Sequence, residues 1–291
     1  MALALLRQIR HALSTLNPSD LREEAGRQVR VGLVAPSAEA LGRMETYFAP
    51  PHLSPERRAE AVRMLVRDGG AGCDLEIYDP ALLRPKHAFA FDPQNPDDTV
   101  NKILKSRPEL MLALARHFFP FRKPAAMILI RRVAKENAVF SLTTALPDIV
   151  PLLSLPWAVG EFASDTAFLT MNQIRLAFML AAISDRPIGY REQRSEVGTI
   201  IASAFGWRAI ARELVAKIPF GGGLVPKAAV AWAATYALGL SFERLYRLGY
   251  GLTKKERLGV YEEAYQHGKQ ISGFLLNSFR KKSKPGVVKA G

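Results

Sequence analysis

One stretch restricts this chain more than any other. From Ala138 to Gly160 there are 23 residues with a single charge, Asp148. A helix crosses a bilayer with roughly 20 apolar residues, so the length is sufficient. Pro147, Pro151 and Pro156 interrupt it, and an interior proline removes a backbone donor and bends or ends a helix. A second apolar stretch, Thr166 to Ser184, carries Arg175 near its centre. Two architectures satisfy this pattern: a broken membrane hairpin, or two buried helices of a soluble all-α core. The membrane reading is the one adopted, because charges inside a span mark buried or functional positions rather than lipid-facing ones.

Charge points the same way. Lys plus Arg outnumber Asp plus Glu by 40 to 27, giving +13, an excess that favours anionic partners. Much of it flanks apolar segments (Arg122, Lys123, Arg131, Arg132, Lys135) or lies in the tail (Arg280, Lys281, Lys282, Lys284, Lys289). Basic residues beside apolar runs are what cytoplasmic loops carry, and a solvated basic surface fits them equally well. Nucleic acid is disfavoured as the anionic partner, since the aromatics lie in apolar helices and are not interleaved with Lys and Arg. Apolar content of 48% excludes wholesale disorder. Cys73 stands alone, so there is no disulfide framework and a reducing compartment is expected. Arg7 and Arg10 fall inside the N-terminal apolar stretch rather than before it, and no A-x-A site follows, which argues against a cleavable signal.

Taken in order, residues 1–20 predict an amphipathic helix, with Leu5, Leu6, Ile9, Leu13 and Leu16 on one side. Asn17-Pro18-Ser19-Asp20 ends it, and a further turn runs from Leu21 to Gln28. Val29–Ala35, Cys73–Tyr78 and Ala88–Phe91 read as strands. Helical patterns cover Ala38–Tyr47, Pro55–Arg67 and Pro96–Phe118. Strands alternating with helices predict a small α/β domain over 21–120 with a parallel sheet. Beyond Arg122 every pattern is helical: Arg122–Leu146, Arg191–Lys217, Leu224–Leu248 and Lys254–Arg280. Thr253 and Glu256 form a capping box before the last of these. The expected whole is α+β. A small Rossmann-like N-terminal domain is followed by a helical domain over 121–280, with apolar helices at 138–160, 166–184 and 224–248. A basic disordered tail, 281–291, closes it.

Chemistry is hard to find. Val29 to Tyr47 is where a P-loop protein places its phosphate loop, which needs spaced glycines, a lysine and a Ser/Thr. Here Gly32 to Met44 has neither the glycine spacing nor the Lys-Ser/Thr pair, and Glu39 would repel a phosphate; a degenerate loop fits. Asp79-Pro80-Ala81-Leu82 lacks the glycine of a Mg²⁺-holding Asp-x-x-Gly. Asn101-Lys102-Ile103-Leu104 lacks the carboxylate of a guanine-reading motif. Gly221 to Gly223, between Lys217 and Lys227, follows no strand and reads as a close helix–helix corner. The five histidines are scattered without metal spacing. No G-x-S-x-G and no carboxylate pair placed for acid–base work is present. Asp148, Glu161, Asp165 and Arg175 would face a bundle interior, and Asp165 has a plain alternative as a helix N-cap.

Several short motifs recur together from about Arg122 to Gly249. They are Asn137-Ala138, Leu146-Pro147-Asp148, Leu169-Thr170-x-Asn172-Gln173, Arg208 to Arg212, Ile218-Pro219-x-Gly221-Gly222 and Ala231 to Gly239. In order and spacing this stretch resembles the YcjF-type family, bacterial membrane-associated proteins with a domain of unknown function that also occurs with GTPases. Family members often have Tyr-Gly after the Asn-Gln helix, where this chain has Ser184-Asp185-Arg186-Pro187. The N-terminal half resembles GTPase-like domains joined to this module, without their phosphate-binding residues. The resemblance implies membrane association and a GTPase-linked context, and no reaction. The positions singled out are Asp148, Asp165, Asn172, Gln173, Arg175, Arg208, Arg212, Gly221, Gly222, Lys227, Thr235 and Gly239.

The expected function is therefore a non-enzymatic, inner-membrane-associated adaptor or regulator with no cofactor or metal. Its N-terminal domain and tail lie in the cytoplasm. Anionic lipid, a GTPase or other protein, and a second copy of the chain are its expected partners. An atypical nucleotide hydrolase and a soluble basic nucleic-acid-binding protein are the alternatives.

Overall fold

The computed structural model describes residues 11, 14, 16–144, 165–202 and 224–282. These form a mixed α+β protein with a helical majority and one small parallel sheet. The chain packs as two units. One takes Met1–Asn17, Leu129–Phe178 and Tyr190–Gly291, the other Pro18–Ile128 and Met179–Gly189. Most of the expected 1–20 helix and the 281–291 tail lie outside the described residues, as does 145–160 of the first apolar stretch.

The α/β unit opens with α1 (Pro18–Gly26) and continues through β1 (Val31–Val34), α2 (Ala38–Phe48), α3 (Pro55–Met64) and β2 (Leu65–Arg67). Then come β3 (Leu75–Tyr78), β4 (Phe89–Ala90), α4 (Pro96–Ser106), a 3₁₀ turn at Pro108–Leu110 and α5 (Met111–His117). The sheet order is β2-β1-β3-β4, and every pairing is parallel. Val31 sits opposite both Leu65 and Leu75. Strand β3 alternates as a half-covered strand should: Leu75 and Ile77 are buried, while Glu76 and Tyr78 are only partly covered. Around it the core is aromatic, with the Phe48 ring 6.1 Å from Phe91, 6.4 Å from Phe118 and 6.0 Å from Phe121.

Three expected boundaries need correction. The Pro55–Arg67 helix stops at Met64, and Leu65–Arg67 leaves as an edge strand. Its apolar residues fit a helix pattern, but pairing with β1 satisfies their backbone and overrides that propensity. The Pro96–Phe118 helix breaks at Arg107, because Pro108 disfavours a helical residue before it. The next helix, α6 (Phe119–Thr143), starts three residues before Arg122.

The helical unit holds most of α6, α7 (Asp165–Ile183) up to Phe178, a helical segment over 194–202, α8 (Leu224–Leu248) and α9 (Lys254–Lys282). Within α7, Thr166–Ile183 has a mean hydropathy of 1.3, long and apolar enough to cross a membrane, yet 83% of it is buried inside the protein. Where α8 packs on α6 and α9, many of the buried side chains are small. Ala228, Ala233, Ala234 and Ala237 of α8 meet Ala134, Ala138 and Leu142 of α6 and Tyr261 and Ala264 of α9. Gly268 of α9 lies flat on α8: a Cβ there would stand 3.1 Å from the Ala229 carbonyl oxygen and 3.2 Å from its Cα.

Gly249 ends α8 at φ 86°, the left-handed conformation that favours glycine. The capping box then forms as the sequence predicts. Thr253 N donates to Glu256 Oε2 at 2.8 Å, and Glu256 N to Thr253 Oγ1 at 3.3 Å. Arg244 donates to the other carboxylate oxygen at 2.7 Å. Arg244 and the donors of Thr253 hold the Glu256 carboxyl at about 2, below its ordinary 4.5.

Two expectations follow. Gly259→Ala, which meets nothing within 4 Å, is expected to raise stability by about 1 kcal/mol through helix propensity. Gly268→Leu is expected to lower it by about 1–3 kcal/mol, because the new side chain strikes backbone. Urea unfolding of both variants decides. For Glu256 the folded value lies below the unfolded one, so its contribution is complete above about pH 4.5 and disappears as the pH falls through about 2. Glu256→Gln should show a melting temperature that changes less across that window than the parent's.

Candidate functional site

In a parallel α/β sheet, ligands bind beyond the carboxyl ends of the strands, where connections leave in opposite directions. Here that place lies beyond β1 and β3. The turn after β1 ends in Ser37, whose Oγ accepts from Ala40 N at 3.2 Å and so caps α2. Glu39, in the first turn, pairs with Arg43 at 2.8 Å. After β3, Asp79 Oδ1 accepts from Ala81 N at 2.9 Å; after β4, Asp92 Oδ1 accepts from Gln94 N at 2.9 Å and Asn95 N at 3.1 Å. Nearby, Tyr47 donates to Asp97 at 2.9 Å, and burial, with Asp97 beside it, raises the Tyr47 phenol. This edge is acidic, and its polar groups are engaged in local turns. Gly32 serves packing instead of an anion, since a Cβ there would lie 2.9 Å from the Gly69 Cα. Among the described residues no group of His, Cys, Asp and Glu is placed to hold a metal ion.

The helical unit contains the other concentration of polar groups. Asn137, Asn172 and Thr235 are each fully buried, and Gln173 nearly so. Thr235 Oγ1 of α8 accepts from Asn137 Nδ2 of α6 at 2.8 Å and from Gln173 Nε2 of α7 at 3.2 Å. Asn172 Nδ2 donates to Asn137 Oδ1 at 2.9 Å, so three helices share one network. Arg175, one turn along α7, pairs with Glu136 at 2.9 Å. Gly239 lies where a Cβ would meet Ile130 at 2.8 Å and Leu176 at 3.2 Å, bringing α8 against α6 and α7.

The structure thus joins Asn172, Gln173 and Thr235 from the positions singled out, sets Arg175 and Gly239 beside them, and places Lys227 Nζ 3.5 Å from Thr144 Oγ1. Asp165 opens α7. Asp148, Arg208, Arg212, Gly221 and Gly222 lie outside the described residues. Asn137 and Glu136 complete the cluster. A buried face on which Asn137 follows Ala134 and precedes Ala138 was the available signal for the first; nothing local marked the second. The amides and hydroxyl are neutral and form no nucleophile–base pair. Such a network fixes which helices meet and in what register, because a slipped arrangement leaves buried polar groups unpaired.

One further constellation belongs to the α/β unit. Asp185 takes φ 57°, with Asp185 N bonded to Ala182 O at 3.1 Å and Arg186 N to Ala181 O at 2.9 Å. That is a helix-ending motif whose left-handed position usually holds glycine. Aspartate tolerates it, and its carboxylate pairs with Arg57 and, at 3.3 Å, with Arg116. Close by, His117 Nδ1 lies 3.1 Å from Glu60 Oε1, and burial lowers the imidazole's pKa.

No family model matches the chain, and no curated protein or solved structure is significantly similar to it.

The network makes a discriminating expectation. Thr235→Val keeps the shape but leaves two buried amide donors without their acceptor, at about 1–3 kcal/mol each. Thr235→Ser keeps the oxygen and loses one methyl, about 1 kcal/mol. Denaturant melts in one buffer should rank Val well below Ser. Equal losses would mean that the two hydrogen bonds contribute no more than one methyl contact, and a larger loss for Ser that methyl packing dominates.

Proposed function

We propose that this protein is a non-enzymatic, membrane-associated adaptor or regulator, related to the YcjF-type proteins, that works with a separate GTPase. The observation that carries the reading is the state of the sheet's carboxyl edge. Where a GTPase would cradle phosphate, this chain places Ser37 as a helix cap, Glu39 in the first turn and the turn-forming Asp79. A phosphate arriving there meets negative charge and occupied donors. The α/β unit reads as a scaffold with a degenerate phosphate loop, retained for contact with another protein.

Membrane association is supported by the apolar window Thr166–Ile183 and by exposed Lys123, Arg131, Arg132 and Lys135 on α6. Buried amide and hydroxyl pairs across helices also act as glue between helices in lipid. The protein would sit at the inner membrane with its α/β unit and basic tail in the cytoplasm. The burial of 83% of that same window favours a second reading, in which the helical unit is a soluble core and the adaptor role is unchanged.

Cell fractionation separates the two. The membrane reading expects the protein to stay with the membrane pellet through a high-salt wash and leave only with detergent; recovery as a monodisperse soluble species overturns it. Calorimetric titration with GTP or ATP and Mg²⁺ is expected to show no binding tighter than about 100 μM, which is roughly −5.5 kcal/mol. Tighter binding would restore the hydrolase alternative.

A further inference from the structure

The described residues expose seven large apolar side chains, and three of them crowd into residues 248–258: Leu248 at 45%, Tyr250 at 57% and Leu258 at 52%. This span is the tip of the α8–α9 hairpin, from the last residue of α8 through Gly249–Thr253 to the second turn of α9. Residues 243–258 also hold Arg244, Arg247, Lys254, Lys255 and Arg257 against only Glu243 and Glu256, a net charge of +3. The two carboxylates are already used, Glu256 by Arg244 at 2.7 Å and Glu243 by Arg247 at 2.6 Å. The side chains of Lys254, Lys255 and Arg257 make no ion pair among the described residues. On α9, Lys254 and Lys255 lie one turn before Leu258, on the same face. Arg244 stands 5.0 Å from the centre of the Tyr250 ring, so aromatic and cation belong to one tip.

We propose that this hairpin tip is the surface by which the protein docks on an anionic bilayer, with Leu248, Tyr250 and Leu258 entering the headgroup region and Lys254, Lys255 and Arg257 meeting lipid phosphates. The inference rests on the membrane reading above and names its contact. An aromatic with a polar end suits the interface between water and hydrocarbon. Exposed cations gain about fivefold in binding each beside an anionic leaflet. All six side chains are exposed, and the hairpin is already closed by Gly249 and the capping box.

The test uses the full chain with Cys73→Ser, an environment-sensitive dye on Tyr250→Cys, and the same dye on Leu83→Cys, a fully exposed site in the α/β unit, as control. Each is mixed with vesicles of phosphatidylcholine alone or with phosphatidylglycerol added. The dye at 250 is expected to shift blue and brighten only with the anionic vesicles, while the dye at 83 stays in water. Lys254→Gln, Lys255→Gln and Arg257→Gln together should weaken the response by roughly 100-fold or more. A dye at 250 that stays in water while the protein sediments with anionic vesicles overturns the tip as the contact and leaves the membrane reading standing. So does a response that is equal in neutral vesicles or unchanged in the triple variant. Unlabelled protein that sediments with neither vesicle overturns both.

Discussion

The helical unit depends on α8 lying closer to its neighbours than ordinary side chains permit. Gly239 admits Ile130 and Leu176 where a methyl group would collide, and Gly268 brings α9 onto the backbone of Ala229. Alanines at 229, 233 and 237, all buried, continue that approach along one side of α8. Close backbone approach is what lets the short side chains of Thr235 and Asn137 reach each other across helices. The packing and the polar network are therefore one feature. Small residues set the distance, and the amides set the register.

The same economy of chemistry marks the α/β unit. Its sheet has the parallel order and the strand–turn–helix connection that nucleotide-binding proteins use, but its polar groups are consumed locally. Ser37 caps a helix, Asp79 and Asp92 close turns, and Gly32 makes room for Gly69. Charges that do reach across the unit serve its folding, as when Asp185 gathers Arg57 and Arg116. Keeping an aspartate in a left-handed turn costs about 1 kcal/mol. The paired carboxylate compensates for that strain where glycine could not.

Much of this was legible from local pattern. Alternation and β-branching marked β1, β3 and β4, the capping box marked the start of α9, and the apolar pattern over 224–248 marked α8. Proline 108 was visible too, but the length of the apolar pattern hid its effect. Strand β2 was missed for a stronger reason: Leu65-Val66-Arg67 is three residues long, and only the edge of β1 makes it a strand. Asn172, Gln173 and Thr235 stood out only within the short motifs of the resemblance, and nothing in their spacing revealed that Thr235 accepts from Gln173 and reaches Asn172 through Asn137.

The sequence alone determined most of the elements, which of their faces are apolar, and that the turn after β1 lacks the spaced glycines and the lysine a phosphate loop needs. These follow from backbone propensity and periodicity, which act over a few residues. Tertiary structure alone decided which polar groups meet. It set Asn137 and Thr235, 98 positions apart, at 2.8 Å, and Arg57 against Asp185. Such pairs are selected by the cost of burying an unpaired donor or charge, and that cost exists only once distant helices have packed.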